Sequence, residues 1–364
     1  MARARPSSPP EPEPNPRRVV AQAMALEVPE RQPVSIHSGG AWLLAQSGLT
    51  FASLAEDPDR MAGLVIHWAR QLRSDIVYVG SGYNNAYLTA LGCRVLWRDP
   101  APPQLAVASP SLGRLDPGCL EWETTARTVR LAARRVVREL GQEYPVAVTL
   151  WAPFTLAALL LGLEDFLRAL IRRPDLVQGA MSVAGDCVRA LAGPLLGPGG
   201  VDIVSLADPL ASGSLICREH FARFALPGLQ GAVEGFHARG AAVLAHFCGY
   251  ASDRLDLIGE TGADIISLGA GVSLRQAKAA LAGKACLGGN LSTLHLMRHT
   301  AEAVAAEAGE CLAQGGPGGG FILMPDCDLS PLTPRGNVEA FLRAARGEPA
   351  GRRGRRRGRR RGRR

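Results

Sequence analysis

No two of the eight cysteines stand in a CxxC pair, and no apolar leader precedes them, since the chain opens MARARPSSPPEPEPNP. They are scattered at positions 93, 119, 187, 217, 248, 286, 311 and 327, a spacing that suits a reducing compartment and not a disulfide-stapled secreted domain. Long apolar runs are missing too. The most apolar stretch, residues 156–163, is far too short to span a bilayer. These absences predict a soluble cytoplasmic protein with no membrane segment. Lysine is nearly absent, two residues against 39 arginines, a bias that points to a GC-rich genome. A basic body is also lacking despite the formal charge of +8, because ten arginines lie in residues 351–364 and leave the remainder at a net −2. The basicity belongs to the tail.

What is present is enough apolar side chain for a large core: 47% of residues are apolar and 20% charged, which rules out wholesale disorder. Residues 1–20 are rich in Pro, Glu, Arg and Ser and are expected to form a disordered lead. Residues 347–364 read as a disordered Arg/Gly tail with non-specific affinity for polyanions. Between them, over 21–346, short runs rich in Val and Ile alternate with helical stretches. The runs are 33–37, 75–79, 145–151, 201–207, 242–247, 264–268, 285–289 and 321–324. Several are apolar at both parities, as parallel strands buried on both faces should be. Val129, Ala132, Ala133, Val136 and Leu140 line one face of a helix that stops at Gly141, and Ser273, Thr300 and Thr333 with Pro334 head further helices as N-caps. Eight strand–helix units predict a single (β/α)8 TIM barrel over an open doubly wound sheet.

The sharpest local feature is AVLAHFCGY at 242–250. Strand side chains alternate, so His246 and Cys248 face one side, and at a barrel's C-terminal rim that side is where barrel enzymes place their chemistry. The last run ends at Met324 and turns through Pro325-Asp326-Cys327-Asp328, which sets Cys327 at the same mouth. One His and two Cys with a fourth position open is the pattern of a catalytic zinc. The same letters also serve a packed core histidine beside inert buried thiols. Cys187, Cys217, Cys286 and Cys311 fall inside strand or helix patterns and read as buried small hydrophobes, whereas Cys93 and Cys119 say nothing. GGPGGG at 315–320 lacks the GK[ST] ending of a phosphate loop and reads as a helix-to-strand turn.

Taken in order, APFTLA (152–157), LADPLAS (206–212), HFCG (246–249), ETGADIISL (260–268), LGGNLST (287–293) and GFILMPDCDLSPLTPRGN (320–337) resemble the uroporphyrinogen decarboxylase superfamily over residues 20–345. The HxC and the late Cys resemble its branch of methylcobalamin:coenzyme M methyltransferases. The resemblance implies a barrel, with Zn2+ held by His246, Cys248 and Cys327 and the acceptor's sulfur entering the open position. Uroporphyrinogen decarboxylases themselves carry an RQAGR segment near the first strand, where this chain reads PVSIHSGGAW, and a carboxylate after the second, where residues 76–98 hold no Asp or Glu. Both departures argue against porphyrinogen decarboxylation.

The reaction so implied is transfer of a methyl group from a methyl-corrinoid, carried by a separate corrinoid protein, to a small-molecule thiol acceptor. No Asp-x-His-x-x-Gly run, the lower-ligand signature of many cobalamin-carrying domains, occurs, so the chain is not expected to hold a corrinoid of its own; the nearest run is Ser35-Ile36-His37-Ser38-Gly39-Gly40. SGYNNAY at 81–87 replaces the acidic residues usual in the methyltransferase branch, so the acceptor need not be coenzyme M. Asp208 is expected at the mouth, orienting His246 or binding substrate, with capping of the following turn as its alternative. Asn290 closes a strand at the same rim and could donate to substrate or serve the turn. Tyr83 and Asn84 are the last of the candidates. Two other readings stay open: a metal-free tetrapyrrole decarboxylase, and a non-catalytic barrel whose zinc or tail serves assembly.

Overall fold

The computed structural model of the chain describes residues 14–109 and 112–348. Seven strands form one parallel sheet in sequence order: β1 (Val77–Val79), β2 (Val146–Trp151), β3 (Ile203–Ala207), β4 (Ala242–Phe247), β5 (Ile265–Leu268), β6 (Cys286–Leu291) and β7 (Phe321–Pro325). Their side chains are buried almost throughout, as expected of strands covered on both faces. One face packs on helices. On the other, Tyr78 of β1, Ile203, Leu244 and Ile265 of the middle strands and Ile322 and Met324 of β7 share a single cluster, so the sheet is curled enough for side chains of its first and last strands to join one core.

The expected first strand is the exception. Residues 33–37 make one parallel bridge, Val34 to Leu323, with Ser35 N–H donating to Leu323 O (2.9 Å) and Leu323 N–H to Pro33 O (3.0 Å). On the other side, Asp75 N–H donates to Val34 O (2.8 Å). The segment thus touches β7 and the residues leading into β1 without becoming an eighth strand. The reason is local: His37 (φ 43°), Ser38 (φ 65°) and Gly39 (φ 79°) turn the backbone into the left-handed region directly after Ile36, and Pro33 has no N–H to give. Outside the large sheet, an antiparallel pair, Arg94–Leu96 with Gln104–Val107, was not foreseen.

Residues 16–20, expected to belong to a disordered lead, are instead helical: a helix runs over Pro16–Met24 with Asn15 as its N-cap, the Asn15 side chain accepting from Arg17 N–H (2.8 Å). Its apolar face, Val19, Val20 and Ala23, is fully buried, and Val20 and Ala23 join the cluster inside the curled sheet. Arg17 forks onto Asp202 at 2.8 Å, and Asp202 also accepts from Val146 N–H, so the helix is pinned beneath β2 and β3. Tertiary burial outweighs the polar composition here. The rest of the lead and the arginine-rich tail lie outside the described residues.

Ser273 and Thr300 cap their helices as expected, but at the last helix, Arg335–Ala345, Pro334 is the N-cap and Thr333 is buried one residue earlier. Cys187, Cys286 and Cys311 are buried; Cys217 is exposed, because it precedes the helix Arg218–His220 while Ile216 takes the buried position.

Candidate metal centre

His246 is the fifth residue of β4, and the parallel register sets it beside Ala207 of β3 and Ser267 of β5. Period-two alternation carries its direction on to Cys248, just past the strand end. Cys327 lies two residues beyond β7. The curl of the sheet brings these positions, 79 apart in sequence, to 3.6 Å between Cys248 Sγ and Cys327 Sγ, while His246 Nε2 stands 2.7 Å from Cys248 Sγ. His246 is buried, and both cysteines are half-buried.

The donor set fits zinc. Two sulfurs about 2.3 Å from one tetrahedral ion stand roughly 3.8 Å apart, close to the separation found, and the imidazole nitrogen needs to withdraw by under about 1 Å to join them. The other ring nitrogen, Nδ1, is hydrogen-bonded to Ser267 Oγ at 3.0 Å, which reserves Nε2 for the ion. The cysteines share a proton unequally. A hydrogen bond from the Cys248 thiol, and then one involving His246, hold Cys327 far below the usual thiol range, while that same bond and burial push Cys248 upward. Metal binding requires deprotonated sulfur, and the direction at Cys327 is the one that favours it.

The other sequence candidates are placed differently. Asp208 is buried beside the cluster, its backbone N–H donating to His246 O (2.9 Å), but its carboxylate does not orient the imidazole. Oδ1 accepts from Thr155 N–H (3.0 Å) and Thr155 Oγ1–H (2.6 Å), which caps the helix Pro153–Leu161 from a neighbouring strand end; Oδ2 has no partner among the described residues. Burial pushes this carboxyl up to about 7, with the Thr155 bonds acting against it. Asn290 spends both amide hydrogens on Gly269 O (3.0 Å) and Val272 O (2.8 Å), so it ties the loop after β5 to β6 and has no N–H left for substrate. Tyr83 is buried outside the cluster, donating to Phe51 O (2.8 Å) and packed edge-on against the Phe51 ring. Asn84 is buried with its Oδ1 unpartnered among the described residues.

Three neighbours escaped sequence reasoning. Ser267, the partner of His246, is a small hydroxyl inside an apolar strand and carries no motif. His37 is buried with its ring 4.5 Å from that of His246, and burial, then His246, hold it well below the usual histidine range. Its place at the end of the 33–37 run was the available signal. Asp328 is buried, accepts from Gly39 N–H (2.6 Å) and is pushed up to about 7, first by burial and then by Cys327.

The uroporphyrinogen decarboxylase (URO-D) family model matches residues 15–347. Among curated proteins, the chain is 28% identical to the methylcobamide:CoM methyltransferase MtaA of Methanosarcina barkeri, across 83% of this chain and 88% of that protein. It is 31% identical to the methylated-thiol–coenzyme M methyltransferase of Methanosarcina mazei, across 71% and 69% respectively. A uroporphyrinogen decarboxylase of Myxococcus xanthus is 25% identical, across 85% and 92%. A solved methyltransferase from Methanosarcina mazei shares the fold with a TM-score of 0.82 at 22% identity, covering 92% of this chain and 99% of that one. By the extent of the family match and by its curated relatives, the chain belongs to the uroporphyrinogen decarboxylase family.

Proposed function

We propose that the protein is a zinc-dependent methyltransferase that moves a methyl group from a methyl-corrinoid on a partner protein to a thiol-type acceptor. The observation that carries this reading is the convergence of His246 Nε2, Cys248 Sγ and Cys327 Sγ from two separate strand ends. The methyltransferase names of several relatives support it. In this reading residues 33–37 serve as the eighth stave that closes a (β/α)8 barrel, and the cluster occupies its mouth. A reducing cytoplasm keeps Cys248 and Cys327 from pairing as a disulfide and leaves both sulfurs available to hold the ion as thiolates.

When bound, zinc supplies the Lewis acidity that removes the acceptor thiol's proton at neutral pH. The chain supplies position. Ser267 fixes the His246 ring, and the end of β4 fixes Cys248; with Cys327 these residues would hold the ion and position the acceptor beside them. The acceptor sulfur then attacks the methyl carbon as the carbon–cobalt bond breaks with its electron pair left on cobalt; the corrinoid is the leaving group. Asp208 Oδ2 is one buried atom near the cluster, with Thr149 Oγ1 and Ser205 Oγ, that has no partner among the described residues and is left to receive a polar group of the substrate.

Elemental analysis and turnover test this together. Protein purified without added metal should retain close to one zinc per chain and transfer methyl from methylcobalamin to some member of a thiol panel. Metal-free protein with undiminished activity would defeat the reading. Uroporphyrinogen incubated anaerobically should give no coproporphyrinogen, because the first-strand arginines are missing; product at enzyme-like rates would favour the decarboxylase alternative.

A further inference from the structure

We infer that the chain carries a second, exchangeable binding site for a divalent first-row transition ion, formed by His295, His299 and Glu307. After β6 the chain enters the helix Thr293–Arg298, and His299 N–H donates to His295 O (2.8 Å), which continues the turn. Residues four apart on a helical turn share a face, so the imidazoles lie together, centroids 4.2 Å apart and 13° from parallel. The next helix, Ala301–Gly315, presents Glu307, whose Oε1 and Oε2 lie 3.1 and 2.9 Å from His295 Nδ1. One ligand atom from each residue falls within 4.8 Å of the others. Ligands of a single zinc stand roughly 3 to 4.3 Å apart. Because the lone pair of an imidazole nitrogen lies in the ring plane and the two rings are stacked, the ion is reached by turning one imidazole, the more exposed His299, about its side-chain torsions towards His295 and Glu307.

An ion pair between His295 and Glu307 explains only two of the three residues. The third is brought in by a rigid frame. Buried Asn337 donates from its amide to Leu296 O and to His299 O, both at 2.8 Å, and Thr300 caps the helix that bears Glu307. This fixes the backbone of both histidines relative to the carboxylate before any ion arrives. His295 and Glu307 also line an open pocket of about 460 Å³ with Ser273, Ser292 and Glu310, so water or a small anion can complete the coordination. Two imidazoles and a carboxylate suit zinc, nickel or cobalt, and the absence of thiolate together with solvent exposure makes the site weaker than the mouth cluster. The two sites share no ligand.

The test uses tag-free full-length chain dialysed to saturation against zinc, with zinc per chain measured by elemental analysis and circular dichroism confirming the fold. Wild type should take up about two ions per chain, and H295Q/H299Q about one. C248S/C327S should retain about one, held by the helices, and E307Q should weaken uptake at the second site at least about tenfold. Undiminished uptake by folded H295Q/H299Q would overturn the proposal, as would a wild type that saturates at a single ion lost in C248S/C327S. Undiminished uptake by C248S/C327S would instead count against the mouth cluster and leave the helical site standing.

Discussion

The two ends of the strands differ in chemistry although they belong to the same side-chain rows. Near the start of each strand the inward positions are Ala147, Ile203, Leu244, Ile265 and Cys286, and these pack with Val20 and Ala23 of the N-terminal helix into a sealed floor. Two residues further along the same rows come Thr149, Ser205, His246 and Ser267, all buried and all polar. Strand geometry is indifferent to this change, because period-two alternation sends both sets inward. The floor therefore has only to be apolar and close-packed, whereas the mouth must hold particular atoms at particular distances. That difference separates substitutions that cost stability from those that cost chemistry.

The largest effect is expected from Cys327→Ala. It leaves one imidazole and one thiol, so zinc should be released and methyl transfer abolished while the fold persists. Cys248→Ala should behave alike. Elemental analysis beside methylcobalamin turnover reads both, and a Cys327→Ala protein that kept full zinc would place the closing ligand elsewhere. On the floor, Leu244→Ala, two residues before His246 in the same row, should cost about 2–5 kcal/mol in denaturant unfolding yet keep its zinc at low temperature. Zinc lost in proportion to stability would show that floor and mouth are not separable.

Ser267→Ala probes the border between them. It removes only the hydroxyl that holds His246 Nδ1, so the fold should be little changed while zinc affinity drops about 10- to 100-fold, measured by competition with a chelator. An unchanged affinity would mean that the packed strand orients the ring without the hydroxyl.

How much of this was legible in the sequence follows from the same contrast. The floor announces itself through runs of Val, Ile and Leu, so the run at 242–247 coincides with β4, and 145–151 and 201–207 differ from their strands by one or two residues. The first run misled because an apolar run does not reveal the left-handed turn at His37 and Ser38 that ends it. At the mouth, His246, Cys248 and Cys327 were visible because His and Cys at strand ends are rare letters with few other uses. Ser267 and the Thr155 that engages Asp208 were not. Their roles depend on partners 21 and 53 residues away, and Ser and Thr are too common to mark a site.

Cys286→Ala carries the smallest expected effect and the cleanest comparison between two kinds of cysteine. Cys286 opens β6 on the inward face, fully buried among Ile265 and Ile322, and burial pushes its thiol up to about 12, so it stays protonated. Among the described residues its sulfur makes a single long hydrogen-bond contact, 3.9 Å to Leu287 O. Removing it leaves a small void in the floor, worth of order 1 kcal/mol, with no donor lost at the mouth. Thermal melting should therefore shift down by a few degrees while zinc content and turnover match wild type. If Cys286→Ala instead released zinc, the floor would be shaping the mouth through packing, and the separation drawn between the two ends of the strands would fail.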